Sequence, residues 1–284
     1  MGMASAGVGL GPLFMAPFAT YLISNFSWRT AYFVIGLIAW LIVIPLSRLL
    51  KRDPYEIGAL PDGVKSDSND MGEEEDGIRL SGLSLPQAFR TRSFRLVTFI
   101  WIFFASNLFL VMTHLVRHAR DINFLPMEAA TVLSLIGGAA IVGRVLIGIA
   151  SDRVGRKLTS VICALLQAGA MVWLIWAQDL WMLYLFALAY GFAFGGMSPV
   201  MAALIGDTFG LGRIGAIFGL LEIGFGVGAA IGPVMGGLIF DVSGSYSLAF
   251  LLGAVAMLIV TLLISLIRRE TNTNFEVAKA VNTF

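Results

Sequence analysis

Apolar residues come in eight continuous runs along this chain, at 5–24, 28–50, 96–115, 129–150, 158–176, 180–205, 214–239 and 246–267. Each is close to the ~20 residues that a helix needs to cross a bilayer. None alternates apolar with polar positions as the strands of a barrel do, and a backbone in lipid must satisfy its own hydrogen bonds within helices or a closed barrel. The pattern predicts an all-α membrane protein with eight transmembrane helices.

The one long polar interruption follows the second run. Its middle, DSNDMGEEED at 67–76, is acidic and has no apolar period, as in a disordered linker. Its end, SLPQAFRTRSFR at 84–95, opens on a capping serine and mixes apolar with basic residues, as a short interfacial helix does. The organisation expected is a two-helix unit at 1–50, a linker at 51–94, a six-helix unit at 95–269 and a tail at 270–284.

Composition agrees with the runs. The chain is 58% hydrophobic and 13% charged, which excludes a soluble globule of 284 residues. Its net charge of +1 gives no reason to expect nucleic acid. Cys163 is the single cysteine, so an intrachain disulfide and a cysteine zinc cluster are excluded. No phosphate loop and no converging nucleophile, base and acid are present, so neither an ATP-driven pump nor an enzyme is expected, and no cofactor.

The remaining charges set a topology. Between the fourth and fifth runs lies GIASDRVGRK at 148–157, a loop with one acid and three bases that cannot sit in hydrocarbon. Placing it inside puts fifteen of the nineteen bases on the cytoplasmic side and leaves Arg29, Arg117 and Arg120 outside. That bias orients both termini to the cytoplasm of a plasma (inner) membrane. Arg144 alone is left within a run.

The first and last pairs of runs look alike. Gly7-x3-Gly11-Pro12 with Ser27-x3-Ala31 is matched by Gly228-x3-Gly232-Pro233 with Ser245-x3-Ala249. Parallel repeats joined by a cytoplasmic linker suit a transporter whose two bundles rock about a midplane site. Gly148, Asp152, Arg153, Gly155, Arg156 and Lys157 match every fixed position of the loop G-x-x-x-D-R-x-G-R-[RK], so the chain resembles the major facilitator superfamily. A second motif of that family, G-x8-G-x3-G-P-x2-G-G, is met by Gly219, Gly228, Gly232, Pro233, Gly236 and Gly237, and implies helix packing. The stretches at 51–63 and 114–121 resemble the branch of monocarboxylate transporters and oxalate–formate antiporters.

The resemblance implies twelve helices in two bundles of six. With two runs before the linker and six after it, this chain looks like helices five to twelve, an incomplete N-terminal half with a complete six-helix C-terminal half. The function implied is secondary active transport of a small organic anion by rocker-switch alternating access, with a proton as a candidate co-substrate. The competing reading is a truncated or regulatory membrane protein that transports nothing.

Arg144 lies eight residues before Asp152, about 12 Å deep. Gly137, Ala140, Gly148 and Ser151 share its face, and Leu135, Val142, Leu146 and Ile149 the opposite one, so Arg144 should point inward. A base on a cavity suits bidentate capture of a carboxylate, and in the resembled branch the eighth helix carries a substrate-binding arginine at this position. The alternative is a structural arginine reaching only the loop. Glu222, about 13 Å deep, shares a face with Gly215, Phe218, Gly219, Gly226 and Ala229, and should avoid lipid. It is a candidate proton carrier, or else a salt-bridge partner of Arg144. Asn107 is a candidate substrate ligand or helix-packing group. His114 and His118, one turn apart, suit proton coupling through His114 and make a weak metal pair.

The chain also departs from the resembled branch. No lysine stands on the seventh run, where oxalate exchangers have one, and Ala140 replaces the acid that proton-linked members carry before the arginine. A dianion is therefore disfavoured. Asp152 is expected to close a gate against a helix N-terminus, with residues 2–5 as the nominated partner.

Overall fold

The computed structural model describes residues 7–49, 85–210 and 214–268. The linker's acidic stretch, the motif stretch at 51–63 and the gate partner at 2–5 lie outside the described residues. Among those described, nine helices form and no strand. They are α1 (Gly7–Asn25), α2 (Trp28–Leu49), α3 (Leu85–Arg90), α4 (Arg92–Asp121), α5 (Pro126–Val154), α6 (Arg156–Ile175), α7 (Leu180–Phe209), α8 (Ile214–Ser243) and α9 (Ser247–Leu266). Seven of them, α2 and α4 to α9, are long and apolar enough to cross a membrane. The first run forms the 19-residue α1, with Pro12 and Pro17 inside it.

Several helices outrun their apolar stretches, because polar ends continue a helix that is capped. Thr91 Oγ1 accepts from the Phe94 amide at 3.1 Å, so α4 starts at Arg92. Pro126 opens α5, where its missing N–H costs nothing, and the Glu128 carboxylate accepts from the Leu125 amide at 2.9 Å.

The chain divides into two compact units, Phe18–Arg79, and Met1–Pro17 with Leu80–Phe284. In the first, Ser27 starts α2 by accepting from the Thr30 amide at 3.2 Å. Most of α2 is exposed, with Tyr32, Phe33 and Trp40 each more than 70% accessible. In the second, α5 packs on α7, α4 on α8, and α9 on α6 and α4.

Glycine makes two of these seams close. A side chain at Gly143 would strike the Phe192 carbonyl, and one at Gly195 the Ala140 carbonyl, so α5 and α7 meet backbone to backbone. On α8, side chains at Gly228 and Gly232 would strike the Ile102 and Ser106 carbonyls of α4. Small residues let membrane helices approach in this way. Between them lie two apolar cores, one around Trp101, Phe104 and Met201, the other around Leu115, Phe186 and Tyr190.

Candidate functional site

Arg144 sits in the α5–α7 seam and is one of the largest buried side chains among the described residues, at 2% exposure. Its Nε and Nη1 are buried with no hydrogen-bond partner. The Phe194 ring of α7 lies 5.8 Å away, within cation–π range. Most of the face forecast for Arg144 holds: Gly137, Ala140 and Ser151 are buried and Val142, Leu146 and Ile149 exposed, whereas Gly148 and Leu135 are both half-buried. An arginine that only snorkels to the loop would be solvated, and this one is not.

A cavity of about 460 Å³ runs from Arg144 along the seam. Val145, Ile149, Pro199, Val200 and Ala203 form its apolar walls, with Ser151, Asp152 and Arg156 at the far end. Arg144 thus faces apolar walls without an acceptor, whereas Arg156 in the same lining is already held by Asp207 and the Ala203 carbonyl. A carboxylate with a short apolar body fits that chemistry, and burial without an acceptor makes Arg144 the group in need of an anion.

Gly155 joins α5 to α6 at φ +99°, which favours glycine, and its amide donates to the Ser151 carbonyl at 2.9 Å. The loop's bases reach the C-terminal ends of two other helices. Arg156 Nη1 lies 2.6 Å from Asp207 Oδ1 and donates to the Ala203 carbonyl at 3.0 Å, both on α7. Lys157 Nζ donates to the Ile267 carbonyl at 2.9 Å, just past α9. Cations belong there, because the helix dipole is negative at that end. Asp152 and Arg153 are exposed and make no ion pair among the described residues, and a side chain at Gly148 would meet open space. Asp207 was missed in the sequence, although an acid in the last turn of a helix opposes the dipole and so signals a basic partner.

Glu222 corrects its forecast. It is exposed, not buried, and neither it nor Arg144 has an ion-pair partner among the described residues. The buried stripe of α8 is Ile217, Leu221, Gly224, Gly228, Gly232 and Gly236. Gly215, Gly219 and Gly226 beside Glu222 face open space, and Ile217 is fully buried.

Asn107 is 1% exposed, and its Nδ2 donates to Tyr190 Oη of α7 at 3.1 Å. Its Oδ1 has no hydrogen-bond partner and lies against Gly253 of α9. His114 has both nitrogens engaged. Nε2 faces the Pro233 carbonyl at 2.9 Å and must donate, so in the neutral ring Nδ1 accepts from Tyr246 Oη at 3.2 Å. Gly236 leaves room for this ring, and Gly237 lies near its edge. His118 packs against Tyr246 and Phe250, and no cluster of three metal-ligating side chains occurs among the described residues. The structure thus brings together Arg144, Gly148, Asp152 and Arg156, and holds Asn107, His114 and Glu222 apart from them.

The family model of the Major Facilitator Superfamily matches residues 1–149 and 96–282. The chain belongs to this superfamily. Monocarboxylate transporter 13 of Bos taurus is 25% identical over 260 residues, covering 91% of this chain and 57% of that protein. Monocarboxylate transporter 12 of Xenopus laevis is 24% identical over 279 residues, covering 93% and 60%. Among solved structures, the superfamily transporter FucP in the outward conformation aligns with a TM-score of 0.57 at 19% identity, covering 86% of this chain and 55% of that one. The human organic anion transporter MFSD10 aligns with a TM-score of 0.54 at 20% identity, covering 64% and 42%. The chain spans little more than half the length of these curated relatives. The superfamily's multi-pass helical bundle is therefore this chain's fold, and the curated relatives it matches are named as transporters.

Proposed function

We propose that the protein containing this chain moves a small monocarboxylate across a plasma membrane by rocker-switch alternating access, with both termini in the cytoplasm. One observation carries the reading: an arginine 2% exposed, with two guanidinium nitrogens lacking any acceptor, beside an aromatic ring and a cavity of about 460 Å³. A buried charge is costly until an anion pairs with it. Residues 1–50 and 95–269 act as parts of two rocking bundles, 51–94 as their linker and 270–284 as a tail. Glu222, an exposed carboxylate on an open face of α8, carries the coupled proton; His114 holds α4 to α8 and α9 and affects coupling only through that contact. The loop from Gly148 to Lys157 serves as the gate, and Asn107 lines up α7 behind the Arg144 site.

Reconstituting the protein in liposomes with radiolabelled lactate, pyruvate, formate and oxalate tests the reading. Uptake of monocarboxylates above oxalate is expected, abolished by Arg144→Gln. An inward proton gradient should speed uptake by the unmodified protein and not by Glu222→Gln. Uptake that survives Arg144→Gln unchanged refutes the anion site, and rates indifferent to the gradient remove the proton.

A further inference from the structure

Gly9 of α1 lies where that helix meets α5. A Cβ added there would stand 2.6 Å from Ile141 Cγ1, 2.8 Å from the Gly137 carbonyl oxygen and 3.1 Å from Arg144 Nη1. The contact is reciprocal. A Cβ on Gly137 would stand 2.6 Å from the Gly9 carbonyl oxygen and 2.8 Å from the Leu13 amide nitrogen. One turn away, Ser134 Oγ lies 3.4 Å from the Pro12 carbonyl oxygen. The two helices therefore touch backbone to backbone, through a pair of glycines, at the edge of the guanidinium.

This contact bears on the nitrogen that lacks an acceptor. Nη1 is shut from solvent, and the Gly9 backbone is what stands beside it. A carboxylate gripping a guanidinium in a bidentate fork needs two adjacent N–H groups in one plane. With α1 against Nη1, the end-on fork of Nη1 and Nη2 is blocked, which leaves only the side-on fork of Nε and Nη2 to an anion in the cavity that Arg144 lines.

We propose that Gly9 is a positioning residue that lets α1 seal the Nη1 edge of Arg144, so that an end-on grip of the anion by Nη1 and Nη2 requires α1 to part from α5 at the Gly9–Gly137 seam. The functional meaning of the seal rests on Arg144 as the anion site; the seal itself does not. Any side chain at Gly9 wedges the seam or pushes the guanidinium aside. Gly11, on the same helix, has open space where its side chain would be, and supplies the control.

Arginine labelling by phenylglyoxal in native membranes, quantified by mass spectrometry as the ratio of Arg144 to Arg156 modification, tests the seal. The Gly9→Val variant should raise that ratio several-fold, and Gly11→Val should leave it unchanged. An unchanged ratio in Gly9→Val overturns the proposal, as does an equal rise in Gly11→Val. Should valine at position 9 unfold the bundle, seen as faster labelling of Arg156 itself, Gly9→Ala decides on the same ratio. Saturating lactate separates the two readings. Labelling that rises in the Gly9 variant but is not slowed by lactate leaves the seal standing and refutes Arg144 as the anion site.

Discussion

A buried guanidinium with two nitrogens that lack any acceptor opposes folding, and Arg144 is retained in spite of that cost. Its surroundings supply only a weak return, the Phe194 ring face at 5.8 Å. Substituting methionine keeps the bulk and removes the charge. Arg144→Met is therefore expected to raise the stability of the anion-free protein by about 1–3 kcal/mol, as replacing other poorly paired buried charges does. The check is a thermal melt in detergent without carboxylate: a higher Tm for the variant supports a charge kept for binding, and a lower one means that the guanidinium is already satisfied. Asn107 shows the other use of a buried polar group. One end ties α4 to α7 through Tyr190, and it packs against Gly253, which has no side chain to displace it.

At the scale of helices, glycine decides which faces meet. On α8, Gly228 and Gly232 lie against carbonyls of α4, whereas Gly219 and Gly226 have nothing nearby. Gly232→Val should thus cost about 1–3 kcal/mol through overpacking against Ser106, while Gly219→Val stays close to neutral. Melting temperatures of the two variants settle it, and equal losses would mean that the α4–α8 seam yields freely. The same contrast explains what the sequence could reveal. Each of the eight apolar runs became a helix, because continuous runs of that length have one good solution in lipid. The face of Arg144 was readable too, since small residues cluster on one side of α5. On α8 small residues occupy two sides, and composition cannot tell which one finds a neighbour. Glu222 was for that reason placed on the wrong side. Gly9 and Phe194 carry no charge or motif, so their place beside Arg144 emerges only when helices far apart in sequence are brought together.

At the scale of the whole six-helix unit, the charged loop acts as a fastener. Arg156 holds the end of α7 through Asp207 and the Ala203 carbonyl, and Lys157 holds the residue that follows α9. Two helix ends are thus tied to one short loop. The Arg156–Asp207 pair is substantially exposed, at 36% and 51%, so its direct worth is under ~1 kcal/mol. Its larger effect should be mechanical, since a bundle that rocks as a rigid body must not let individual helix ends fray. Arg156→Gln combined with Lys157→Gln is expected to speed amide hydrogen exchange in the last turns of α7 and α9, with the α4–α8 seam unchanged. Transport should then lose maximal rate more than apparent affinity, because Arg144 and its cavity walls on α5 keep their places. Uniformly faster exchange across all helices would instead make the loop a general stabiliser, and unchanged exchange would leave it only a topological signal.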